Sequence, residues 1–218
     1  MKRSIFFLFA LVVVVCAIPS YVVAAGDNYI TLKPGIYSPQ SSGLKHFDTG
    51  FNGEITFGHR YNPNFAVEMG IGYFNTSATF RDSDRISGIR YPFRERDNLE
   101  VVPITLSAKL IRPVGKWEFF GTGGIGAYIM SENVKVTGAV NTWSGRASFS
   151  DTATVFGSHL GLGFHYNITP TLFVGTEGKY LWVRQARLRD KVSGAPIAMD
   201  TKFRMDGIMA TAVLGIRF

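Results

Sequence analysis

Charged residues recur inside segments that are otherwise apolar. Glu54 lies in GEITFGHR, Glu68 in AVEMGIGY, Lys109 in LSAKLI, Glu118 in WEFF, and Glu177 and Lys179 in TEGKY. Carboxylates and ammonium groups gathered on one face could relay protons or ions, or they could neutralise one another. Buried charge costs several kcal/mol unless it is paired, so neutralisation is the expected outcome. The expected network sets Glu54, Glu68, Glu118 and Glu177 against Lys109, Lys179 and Arg217. His159 and His165 fall on the same alternate face as one another, and Glu177 follows in the next segment. Three ligands at metal spacing are not evident, and no cofactor motif is present. The sequence therefore assigns no catalytic residue, no metal site and no cofactor.

The elements that position these groups are strands. Apolar residues alternate with other types in eight runs, at about 29–38, 51–60, 64–75, 98–111, 117–130, 154–167, 171–184 and 207–218. Period-two alternation is the strand signal, and helical spacing is not sustained. Short connections, Tyr61-Asn62-Pro63, 112–116 and Ile168-Thr169-Pro170, join runs two and three, four and five, and six and seven. Asn and Pro favour such turns. The other four connections, about 39–50, 76–97, 131–153 and 185–205, are long and polar. An even strand number with short turns at one end and long loops at the other is the outer-membrane barrel pattern.

The chain begins MKRSIFFLFALVVVVCAIPSYVVAA. Lys2 and Arg3 form a positive head, and Ile5 to Ile18 is too short to span a bilayer comfortably. Val23-Ala24-Ala25 offers a cleavage site, so residues 1–25 are expected to be a secretory signal peptide and 26–218 the barrel domain. Cys16, the only cysteine, would be lost with it, and Val14 and Val15 before it do not suit lipidation. Loss of Lys2 and Arg3 lowers the formal charge from +7 to +5. The basic residues form no stripe with aromatics, and export argues against a nucleic-acid partner.

Alternation alone does not say which face meets which solvent, because a soluble lipocalin-type barrel alternates with its apolar face inside. Glycines decide it. Gly58, Gly70, Gly72, Gly124, Gly126, Gly161, Gly163 and Gly175 share the face that carries the charges. An eight-stranded barrel has room inside only for its own side chains, and glycine beside long charged residues fits such a lumen. Phe65, Trp117 and Tyr166 fall by the short turns, and Tyr73 and Trp182 toward the long loops, where interfacial girdles belong. The fold expected is all-β: an eight-stranded antiparallel up-and-down transmembrane β-barrel.

The last residues, Leu214-x-Ile216-x-Phe218, resemble the C-terminal signal by which bacterial outer-membrane barrels are recognised for assembly. The whole region 26–218 resembles the small eight-stranded outer-membrane family of OmpA/OmpX-type, opacity-type and OmpW-type barrels. The resemblance implies a Gram-negative outer-membrane location. It implies contact with outer-membrane lipids, lipopolysaccharide and the barrel-assembly machinery, and it leaves the oligomeric state open. A barrel with histidine and an acid is also similar to lipid A deacylases. Those use Ser, His and Glu on the membrane face, whereas the residue two past His165 is Asn167 and the histidines are expected to point inward.

Arg184, Arg187, Arg189 and Lys191 lie in a single connection with one acid, Asp190, and are candidates for lipopolysaccharide phosphates. In 81–97, Arg81, Arg85, Arg90, Arg94 and Arg96 alternate with Asp82, Asp84, Glu95 and Asp97, the pattern of a loop that folds on itself. The functional expectation is a non-enzymatic barrel, structural or surface-interacting through four long loops. The alternative is a narrow, porin-like passage for small hydrophobic solutes. A lipid-modifying enzyme and a soluble carrier rank lower.

Overall fold

The computed structural model describes residues 28–41, 44, 46–86, 89–140, 143–184, 186–191 and 198–218. The expected signal peptide lies outside the described residues. Eight strands form a closed antiparallel barrel: β1 (Asn28–Pro39), β2 (Gly50–Asn62), β3 (Phe65–Ile86), β4 (Ile89–Val114), β5 (Trp117–Val140), β6 (Trp143–Asn167), β7 (Leu172–Val183) and β10 (Gly207–Arg217). A hairpin of β8 (Ala186–Lys191) and β9 (Ala198–Phe203) stands between β7 and β10.

The ring closes between the first and last barrel strands, with Tyr29 opposite Arg217 and Ile30 opposite Ile216. Phe218 N donates to Asn28 O at 2.9 Å and continues the ladder. Closure is what a sheet in hydrocarbon requires, since an open edge would leave backbone groups unpaired. Pro34 has no N–H, and the β1–β10 ladder skips Lys33 and Pro34 and resumes at Gly35 in the same register.

The alternation resolves into two faces. On β1, Tyr29, Thr31, Lys33 and Tyr37 are buried while Ile30, Leu32, Pro34 and Ile36 are exposed. The same holds around the ring, where Leu106, Ile125, Phe156, Leu160 and Leu162 are all more than half exposed on the outside. Glycine gives the interior its room. A Cβ at Gly58 would lie 2.2 Å from the Tyr29 ring, one at Gly163 would lie 2.4 Å from Phe120, and one at Gly70 would lie 2.9 Å from Glu54 Oε1.

Two of the three short turns are tight hairpins. Val114 pairs with Trp117 across Gly115-Lys116, and Gly115 has φ 62°, the positive value that suits such turns and that glycine adopts without strain. Two of the four expected loops are corrected by the structure. Regions 76–97 and 131–153 are largely strand: β3 and β4 continue to Ile86 opposite Ile89, and β5 and β6 to Val140 opposite Trp143. These strands run 22, 26, 24 and 25 residues, where about 9–11 suffice to cross a bilayer. Apolar alternation fades in these stretches of sequence although β-forming Thr, Val, Phe and Tyr persist, so they carry no period-two signal. The charged stretch 81–97 does fold on itself, as a hairpin with Arg81 opposite Arg94 and Arg85 opposite Arg90. Region 185–205 likewise holds the β8–β9 hairpin.

The orientation of the two faces is open to direct test. Single cysteines in a Cys16→Ser background at Leu106, Leu160 and Leu162 should be quenched by lipid-attached nitroxide, and those at Thr105 and Gly161 should not. The opposite pattern would put the apolar face inside.

Candidate functional site: the filled lumen

The barrel interior is built from residues two apart on each strand. At its centre Lys33 of β1 is fully buried, with Nζ 2.8 Å from Glu177 Oε2 and 3.2 Å from Glu68 Oε2. Lys109 of β4 donates to the other Glu68 oxygen at 2.7 Å, and the Tyr29 hydroxyl donates to that oxygen at 2.8 Å. Thr122 Oγ1 donates to Glu177 Oε1 at 3.0 Å. Lys179 of β7 donates to both oxygens of Glu54 on β2, at 3.0 and 2.7 Å, and lies 3.9 Å from Glu177 Oε2. Three lysines thus meet three glutamates drawn from β1, β2, β3, β4 and β7, and the layer is formally neutral.

Toward the short turns lies a second group. Glu118 accepts from Arg60 Nη1 and Nη2, both at 3.1 Å, and from Arg217 Nη2 at 2.8 Å. Aromatic rings pack between the two groups. Lys109 Nζ sits 3.9 Å from the centroid of Phe120, the Arg217 guanidinium 4.6 Å from that of Phe173, and His165 stacks between those two rings. The space left among Tyr29, Arg60, Glu118, His165 and Phe173 has room for about one water molecule.

Toward the long loops the lumen is closed by apolar side chains. Tyr37, Phe74, Val101, Tyr128, Met130 and Met209 form one buried cluster, and Leu44 and Met205 from the connecting segments pack into it. Hydrogen bonds hold that cap: Tyr37 OH donates to Met205 O, Gln40 N to Asp206 O, and Val183 N to Asp206 Oδ1.

All six expected lumen charges, Glu54, Glu68, Lys109, Glu118, Glu177 and Lys179, are buried and paired, and Arg217 joins Glu118. Lys33 and Arg60 were not singled out from the sequence, although both lie at inward positions. Lys33 falls between outward Leu32 and Pro34, so strict period-two counting on β1 would have found it. His159 and His165 both face the lumen, each 2% exposed. Ser107 Oγ and His159 Nε2 are 2.9 Å apart, which resembles half of a nucleophilic site, but His159 Nδ1 has no hydrogen-bond partner to orient the ring. Among the described residues no group of three or more His, Cys, Asp or Glu could hold a metal ion.

Arg184 is exposed at the end of β7. Arg187, Arg189 and Lys191 lie on β8, and their side chains are outside the described residues. Leu214, Ile216 and Phe218 are 47–55% exposed on the outer face, with Phe218 6.5 Å from Phe57 between ring centroids.

Residues 7–214 match the outer membrane protein beta-barrel domain family. The chain belongs to that family. Membership supports an outer-membrane location. The structure of OprG from Pseudomonas aeruginosa is similar over 89% of this chain and 96% of that one, at 17% identity and TM-score 0.59. Neisserial surface protein A matches over 88% and 97% at 14% identity and TM-score 0.50. The protease OmpT of Escherichia coli matches over 88% and 94% at 11% identity and TM-score 0.52. At such identities the likeness is one of fold. An uncharacterized protein of Coxiella burnetii is 28% identical over 128 residues, 52% of this chain, and the chain spans about half the length of that relative.

Removing Lys33 should be costly. Lys33→Met leaves Glu177 and Glu68 short of a cation in a closed lumen, and breaking a buried pair typically costs about 3–5 kcal/mol. Urea unfolding in lipid vesicles reads the loss. The double replacement Lys33→Met, Glu177→Gln should recover part of it, because it removes the uncompensated charge and leaves Lys109 with Glu68 and Lys179 with Glu54.

Proposed function

We propose that this protein is a non-enzymatic outer-membrane barrel with a sealed lumen, whose role is carried by the sheet it raises beyond the membrane. The filled lumen carries the reading. An arginine–glutamate group, an ionic layer and an apolar cap follow one another along the axis. A solute would have to displace each in turn. The long β3–β6 strands support the second half of the proposal, since they extend about a dozen residues, or roughly 40 Å, past what a bilayer needs.

On this reading residues 1–25 direct export and are removed. The strand ending Leu214, Ile216 and Phe218 is offered to the assembly machinery, and Arg184, Arg187, Arg189 and Lys191 contact lipopolysaccharide phosphates. The competing reading, a narrow passage for small hydrophobic solutes, draws on the apolar cluster at the outer mouth. It requires both the cap and the ionic layer to move.

Planar-bilayer recording separates the two. The purified barrel should show no steady unitary conductance, and a stable open level in the wild-type protein would overturn the sealed-lumen proposal in favour of a passage.

A further inference from the structure

Around the short-turn end the outer face of the barrel is largely apolar, and among the described residues one pair of basic side chains stands out from it. Arg112 is exposed and stands on the lipid-facing register of β4, in line with Leu110 at 66% and Val114 at 55% exposure. Lys116, also exposed, follows in the β4–β5 turn. Among the described residues neither cation has an ion-pair partner. Glu118, the nearest acid in sequence, points into the lumen and is held by Arg60 and Arg217. Among the described residues no acidic side chain stands on the outer face at this end.

Aromatic rings border the two cations. Arg112 lies opposite Phe119 across the ladder, and Val114 opposite Trp117. Trp117 contacts Tyr166 at 4.9 Å and Phe164 at 5.5 Å between centroids, and Phe119 lies 6.4 Å from Phe164. Trp and Tyr settle at headgroup level, which fixes the depth of the cations. Beyond Phe119 the outward positions of β5 are Gly121 and Gly123, opposite Leu162 and Leu160 on the next strand. The surface there is low enough to lay an acyl chain against the leucines.

Short turns of such barrels face the periplasm, so this end meets the inner leaflet and its phospholipids. A guanidinium on a lipid-facing strand has one complementary group within reach there, a phosphate. We propose that Arg112 and Lys116, with the Trp117–Tyr166 shelf, form a binding site for an anionic glycerophospholipid of the inner leaflet. The occupant is thus distinct from any lipopolysaccharide at the opposite rim, and the site does not depend on whether the lumen conducts.

Native mass spectrometry of the detergent-purified barrel, with phosphatidylglycerol or phosphatidylcholine added, tests the site. Wild-type protein should retain phosphatidylglycerol in preference to phosphatidylcholine. Arg112→Gln and Lys116→Gln should each reduce that preference by roughly fivefold, the value of one basic residue at an anionic surface. Arg204→Gln, at an exposed cation in the segment before β10, should leave it unchanged. Equal retention of the two lipids by wild type, or undiminished preference in the Arg112→Gln, Lys116→Gln double variant, would overturn the proposal. Should the double variant fail to fold, Val114→Cys in the Cys16→Ser chain gives a second reading. A fluorophore there should be quenched more by headgroup-labelled phosphatidylglycerol than by the phosphatidylcholine analogue, and equal quenching counts against the site.

Discussion

Lys33 between Glu68 and Glu177 is the contact on which the interior turns. Its ammonium is fully buried, so the two carboxylates it joins must supply what water would have supplied. The partners come from β3 and β7, and the remaining lysines bind back to the same acids or to Glu54. At its centre, away from water, a closed sheet with lipid outside can bury charge only if each ion is balanced by an opposite one within a few ångströms. This one reaches that balance by drawing its ions from strands on different sides of the ring. Such a network is weak evidence of net stability against an apolar filling. What it does impose is register: a strand slipped by one residue would turn its ions out into hydrocarbon.

The rest of the interior follows from volume. Long lysine, glutamate and tyrosine side chains fit in a narrow barrel because glycines sit opposite them. Tyr29 lies over Gly58, His165 over Gly175 and His159 over Gly124. The glycines that weaken an ordinary strand here make the lumen fillable. Under the proposed reading the side chains that fill the lumen block the axis, and function falls to the outer surface and to the strands that rise above it.

Much of this was legible in the sequence, and for a physical reason. Where one face meets lipid and the other a polar lumen, each strand must alternate, and Ile30, Leu32 and Ile36 against Thr31, Lys33 and Tyr37 show it at a glance. The same rule explains the errors. Between residues 76 and 97 the sequence shows no apolar alternation, so stretches that continue as strand read as loop. Pairing partners were legible only as a set, because which lysine meets which glutamate depends on tilt and side-chain reach across the lumen. The Ser107–His159 contact spans β4 and β6, which are not adjacent, and carried no local signal.

The most direct test of the interior is a double-mutant cycle on Glu54 and Lys179, the pair that spans from β2 to β7 with both carboxylate oxygens engaged. Unfolding free energies of wild type, Glu54→Gln, Lys179→Met and the double variant in vesicles give the coupling. A buried pair that holds the lumen together predicts coupling toward the upper end of the usual range of about 0.5–3 kcal/mol. Coupling near zero, with each single variant tolerated, would mean that water reaches both groups and that the lumen is not sealed by its ions.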